Sequence, residues 1–150
     1  MKTYLAALAL AASSLPALAE ASMTCKAVTD SDITGLFDRW NASLKTGNPD
    51  EVVKNYANDS ILLPTVSNKP RLTQDERRDY FVHFLEDHPA GEINMRQIKI
   101  GCNDALDAGI YTFTFGNGSK VKARYSFTYV LQDGKWLISS HHSSAMPEKE

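Results

Sequence analysis

Apolar residues along this chain fall first at helical spacing and later at alternating spacing. Ile33, Leu36, Phe37, Trp40 and Leu44 recur every three to four positions, which predicts an amphipathic helix. Asp30 or Ser31 can cap it, and Gly47 can end it. Asn48-Pro49 then supplies a cap followed by proline at the first helical position, opening a short second helix with Val52, Val53 and Tyr56 on its apolar side. Asn58-Asp59-Ser60 reads as a turn, Ile61 to Leu63 as a short strand stopped by Pro64, and 65–72 as a loop. Thr73-Gln74-Asp75-Glu76 is a capping box for a third helix, whose apolar side is Tyr80, Phe81, Phe84 and Leu85 and whose end is Pro89-Ala90-Gly91. Strand patterns follow over 92–100, 105–115, 120–132 and 135–144, with Asn117-Gly118 and Asp133-Gly134 as type I′ hairpin turns.

Three helices before a four-stranded antiparallel meander predict an α+β fold in which the helices cover one face of the sheet. The third strand is long enough to need a bulge or coil, so the sheet is expected to curl into a cone-shaped half-barrel with an open, pocket-like end. A two-residue loop at Asp133-Gly134 pairs Gln132 with Lys135. Carried on with a period of two, it places Tyr129 with Ile138, Phe127 with Ser140 and Tyr125 with His142 on one face. The other face then carries Ser126 with His141 and Arg124 with Ser143. A two-residue Asn117-Gly118 turn adds Tyr111 beside Arg124, and that second face becomes too apolar to stay wet. It is expected to bury itself in a homodimer.

Composition narrows the function classes. The 150 residues carry 16 Lys and Arg against 18 Asp and Glu, a net charge of −2, with 43% apolar residues. That is too apolar for a disordered chain and too balanced for a general nucleic-acid or anionic-membrane binder. Lys2 followed by the apolar run Tyr4 to Ala12 and then Ala17-Leu18-Ala19 forms a secretory signal peptide over 1–19, leaving one domain over 20–150, secreted or periplasmic and off the membrane after cleavage. In an oxidising compartment the only two cysteines, Cys25 and Cys102, are expected to bridge. His141 and His142 are adjacent and point to opposite faces of a strand, and His83 and His88 are poorly aligned on a helix, so neither a metal nor another cofactor is expected.

Asp133-Gly134-Lys135-Trp136-Leu137-Ile138, followed by His141-His142-Ser143-Ser144-Ala145-Met146-Pro147, resembles the closing motif of the calcium/calmodulin-dependent protein kinase II association domain. Tyr80-Phe81 with Phe84-Leu85 and Pro89 also fits, as does Leu62-Leu63-Pro64-Thr65. The likeness runs from about Ser31 to Pro147 and is greatest to stand-alone, exported bacterial members. It implies the nuclear transport factor 2-like, or SnoaL-like, half-barrel and dimers formed through the sheets. The kinase domain's pocket is lined by arginines, whereas the matching positions here are Tyr111, Phe127 and Ser143, so its ligand preference does not transfer. The kinase glycine-rich loop and His-Arg-Asp motif are absent, so no kinase activity is expected.

The expected pocket is lined by Trp40, Tyr56, Tyr80, Tyr125, Tyr129 and His142, with Arg124 as an anchor for an anionic group. Two functions follow from it. The first is a non-catalytic binding or oligomerisation module for a small carboxylate-bearing or partly apolar ligand. The second is a small cofactor-independent acid/base enzyme, an isomerase, cyclase or hydrolase, with His142 or Asp59 as proton carrier.

Overall fold

The computed structural model describes residues 24–65 and 67–148. The expected signal peptide lies outside the described residues. Helix α1 (Asp30–Leu44) starts one residue ahead of the expected caps, at Thr29. The Thr29 hydroxyl accepts from the Asp32 amide, and the Asp32 carboxylate accepts from the Thr29 amide at 2.8 Å. Helix α2 (Pro49–Val53) is capped by Asn48, whose side chain accepts from the Asp50 amide at 2.9 Å. Helix α3 (Gln74–Glu86) carries the expected capping box of Thr73 and Glu76.

Five strands form one curved sheet in the order β1-β5-β4-β3-β2. They are β1 (Tyr56–Leu63), β2 (Ala90–Ile100), β3 (Asp104–Thr114), β4 (Lys120–Gln132) and β5 (Lys135–Ala145). The meander β2 to β5 is antiparallel, and β1 adds to it in parallel beside β5. The expected turn at 58–60 is therefore part of a strand, interrupted between Tyr56 and Ile61. Arg77 makes that irregular stretch possible. Its guanidinium, buried under α3, donates to the carbonyls of Ser60, Ala57 and Asn58 at 2.6, 3.1 and 2.9 Å, so backbone oxygens that lack ladder partners are satisfied by a side chain.

Curvature is built in two places. The β2–β3 ladder shifts register between Ile93 and Met95, one rung from Gly109, which pairs with Arg96. A Cβ on Gly109 would lie 1.9 Å from the Met95 carbonyl oxygen, so only glycine allows the two backbones to approach there. The β4–β5 ladder shifts between Thr128 and Tyr129, leaving an extra residue in β5 at Ser139. The inner face packs on Ile33, Leu36, Phe37, Trp40 and Leu44 of α1, all buried.

These irregularities correct two expected registers. Tyr129 does pair with Ile138, but beyond the bulge Phe127 pairs with His141, Ser126 with His142 and Tyr125 with Ser143. The β3–β4 connection runs over 115–119, closed by the Phe115 amide donating to the Ser119 carbonyl at 2.9 Å, so Tyr111 pairs with Ala123 and not with Arg124. Each error is a single residue, and each exchanges the two faces. Tyr111, Phe113, His141 and Ser143 are buried inside, while Arg124 and His142 are exposed outside.

Cys25 and Cys102 form a disulfide, with Cα atoms 4.8 Å apart and 77 residues between them in sequence. It fastens the segment ahead of α1 to the β2–β3 turn. There the Lys26 amide donates to Asn103 Oδ1 at 2.9 Å, and Asn103 Nδ2 donates to the Thr24 carbonyl at 3.2 Å.

Candidate functional site

Between α3, the loop after β1 and the inner face of the sheet lies a cavity of about 70 Å³. A water molecule's share of liquid volume is about 30 Å³, so the space is about that of two waters and suits only a very small molecule. Its walls are mostly aromatic, from Trp40, Tyr80, Phe81, Phe84, Tyr111 and Phe113. Ala123, the small partner of Tyr111, leaves the space open. None of the described residues on the wall is a carboxylate.

Two polar groups converge on it. The first is a buried chain of donors. Trp40 Nε1–H donates to the Tyr56 hydroxyl at 3.0 Å, and that hydroxyl lies 3.0 Å from His141 Nδ1. Indole nitrogen can only donate, so the Tyr56 hydroxyl accepts from Trp40 and has its own proton left for His141 Nδ1. Giving that proton an acceptor assigns Nδ1 as the acceptor and places the neutral imidazole's own proton on Nε2. Burial keeps the ring neutral by pushing its pKa from 6.5 down to about 3, with the neighbouring His142 a smaller contributor in the same direction. Phe127 stacks on the ring with centroids 4.0 Å apart, and Trp40 meets it edge-on at 5.3 Å. Nε2 is buried and has no hydrogen-bond partner among the described residues. The imidazole thus presents an unused N–H donor on the edge away from Tyr56.

The second group is a set of hydroxyls. Ser143 of β5 bonds to Thr65 of the loop after β1, and Tyr111 stands beside them on the same wall. Burial raises the pKa values of Tyr111, Tyr80 and Tyr56, that of Tyr80 to about 12, so all three remain phenols at neutral pH. The set therefore offers neutral donors and acceptors side by side with the His141 N–H.

The expected site residues separate into three groups. Trp40 and Tyr80 stand on the cavity wall, and Tyr56 stands behind His141 as its orienting partner. Tyr125 and Tyr129 are buried on the inner face but do not line the cavity. Tyr125 donates to Asp107 at 2.8 Å, and Asp107 is fully buried and approached by Arg96 Nη2 at 3.0 Å. Desolvation raises the Asp107 carboxyl, while Tyr125 and Arg96 oppose that shift. Arg96 is therefore the ion-pair partner of a core carboxylate.

His142, Arg124 and Asp59 are corrections. His142 and Arg124 are exposed on the outer face, where the bulge at Ser139 and the longer β3–β4 connection have turned them. Asp59 is exposed beside an open groove of about 500 Å³ across the outer face, not at the mouth of the cone. That groove is larger than the inner cavity, but it has no converging buried donors. His141, Ser143, Thr65 and Tyr111 are not among the expected lining residues, although the resemblance matches Tyr111 and Ser143 to pocket positions of the kinase domain. Strand parity hid the inward direction of His141 and Ser143, and Thr65 lies in a loop that carries no such pattern. Among the described residues no three His, Cys, Asp or Glu side chains gather where a metal ion could be held.

The sequence profile of the calcium/calmodulin dependent protein kinase II association domain matches residues 29–147. A Xanthomonas campestris structure assigned to that domain is 48% identical, covers 85% of this chain and 98% of its own, and superposes with a TM-score of 0.77. An NTF2-like protein from Pseudomonas putida is 17% identical over 81% of this chain and 89% of its own, with a TM-score of 0.70. The iota-carbonic anhydrase of a cyanobacterium, solved with bicarbonate, is 20% identical over 87% of this chain and 99% of its own, with a TM-score of 0.74. No curated protein matches the chain in sequence. The chain belongs to the calcium/calmodulin dependent protein kinase II association domain family, and it carries that family's nuclear transport factor 2-like, cystatin-like fold.

Proposed function

We propose that this protein interconverts carbon dioxide and bicarbonate at the inner cavity. The observation that carries this reading is a space of about 70 Å³ lined by Thr65, Tyr111 and Ser143 together with His141, whose Nε2 is unpartnered among the described residues. The space is too small for most carboxylate-bearing metabolites, and its polar groups are neutral donors suited to a small oxyanion. The bicarbonate complex of the fold relative supports the same chemistry. The enzyme reading is thus preferred over the non-catalytic binding module expected first.

In the forward direction the hydroxyls of Ser143 and Tyr111 hold a water molecule against the carbon of CO2. The water oxygen forms the new C–O bond, and one C=O π pair moves onto the oxygen facing His141. The Nε2–H donor stabilises the charge developing there. The water's proton leaves through the Ser143–Thr65 hydroxyl pair to solvent at the loop, giving bicarbonate and one proton. His141 changes no protonation state. Its role is electrostatic, with Tyr56 holding the tautomer.

Stopped-flow CO2 hydration with the mature chain tests this. The wild type is expected to exceed the buffer rate, and Ser143→Ala or His141→Ala to lose on the order of a hundredfold or more. Dialysis against a chelator should leave the rate unchanged, since no three metal-ligating side chains cluster among the described residues. A wild-type rate equal to buffer, with saturable bicarbonate binding retained, would return the protein to the class of non-catalytic binders.

Export and assembly complete the proposal. The disulfide is consistent with a secreted or periplasmic site. The outer face has lost Tyr111 and Phe113 to the interior, yet it keeps half-buried Leu106, Ile110, Val130 and Leu137 between polar residues. A second copy of the chain would cover these residues and give the homodimer. Sedimentation of a monomer at micromolar concentration would remove it.

A further inference from the structure

We infer that Arg71 forms a second anion site, outside the cavity, at which bicarbonate docks as it enters or leaves. The inference rests on the reading of the cavity above and starts from a charge that is only loosely paired. The Arg71 side chain is only 14% exposed, as buried as that of Arg96 at 18%. Arg96 has Asp107 at 3.0 Å. Among the described residues Arg71 has no comparable partner. Its Nη1 is 3.7 Å from the exposed carboxylate of Asp79, its Nη2 reaches Ser67 Oγ at 3.4 Å, and its Nε is buried with no partner. A guanidinium taken this far from water ordinarily has a close anion.

The surroundings supply room for one. A pocket of about 220 Å³ is lined by Arg71, Tyr80, His83, Phe84 and Asp87. Tyr80 and Phe84 also line the inner cavity, stacked on each other with centroids 5.6 Å apart, so two side chains form the partition between the spaces. The Arg71 guanidinium lies over the Tyr80 ring, 5.8 Å from its centroid. The same loop serves both compartments. Backbone hydrogen bonds between Leu62 and Arg71, at 2.9 and 3.0 Å, fasten its two ends, with Thr65 directed to the Ser143 hydroxyl and Arg71 to the outer pocket. Asp87 and Asp79 bring negative charge to the same rim, which favours release of the anion over tight retention.

The test follows the Arg71 Nε–H resonance by NMR in the full mature chain while bicarbonate is added, in parallel with stopped-flow hydration. In wild type the resonance should move saturably. It should still do so in Ser143→Ala, where the inner cavity is impaired. Arg71→Gln should lower kcat/KM about tenfold, equally for hydration and dehydration because the overall equilibrium is fixed, and should flatten the dependence on ionic strength. Arg71→Lys should recover part of the rate. A resonance that stays still while the wild type hydrates CO2 overturns the outer site and leaves the proposed function standing. A resonance that titrates while no variant or wild type hydrates CO2 overturns the proposed function and leaves the site.

Discussion

His141 shows how one buried side chain ties stability to chemistry. The ring is neutral in the folded protein down to about pH 3, whereas an exposed histidine protonates near 6.5. Between those values the unfolded chain binds more protons than the folded one, so this group makes stability rise with pH across that window and adds nothing above it. The slope approaches about 1.4 kcal/mol per pH unit for one such proton. His141→Phe, which keeps the stack on Phe127, should lose this part of the slope. Urea midpoints of both proteins from pH 4 to 7 would converge toward the acid end if this is right, and run parallel if it is wrong.

At the scale of elements, the sheet depends on places where the ladder breaks. Gly109→Ala puts a methyl group into the Met95 carbonyl and should cost about 3 kcal/mol in urea unfolding, more than an ordinary alanine substitution in a strand. A loss under about 1 kcal/mol would mean that the β2 bulge relaxes freely. These breaks also explain what could be read in advance. The helices were legible because their signals are local: a capping box at Thr73, a proline behind Asn48, and an apolar stripe from Ile33 to Leu44. The Asp133-Gly134 hairpin was legible as far as Tyr129, because turn chemistry sets register nearby. Beyond it the bulge at Ser139 depends on sheet curvature, which no single residue announces. The first part of β1, ahead of the expected strand at Ile61 to Leu63, was hidden for a similar reason, since its freed carbonyls are met by Arg77 from another element. Asp107 gave a local sign, a charge at an inward strand position, but its partner Arg96 comes from the neighbouring strand.

For the whole molecule, the disulfide sets the largest single constraint on the unfolded chain. Closing 77 residues of sequence should stabilise the fold by roughly 4 kcal/mol in the chain-entropy picture. Replacing Cys25 and Cys102 together by serine should lower the urea midpoint accordingly and leave CO2 hydration in the folded fraction unchanged, because the bridge lies at the β2–β3 turn, away from the cavity wall. A rate that fell while the variant's circular dichroism stayed native would tie the N-terminal segment to the site.

The stretch from Ser139 to Ser144 reads Ser-Ser-His-His-Ser-Ser, each letter written twice. Sliding the strand by one step would exchange histidine for histidine and serine for serine on both surfaces. Composition is therefore blind to the slip, but neighbours are not: only one of the two imidazoles can reach Tyr56. A doubled alphabet of this kind leaves the choice of working residue to geometry, and a single misplaced rung would produce a protein of the same make-up with its chemistry facing the wrong way.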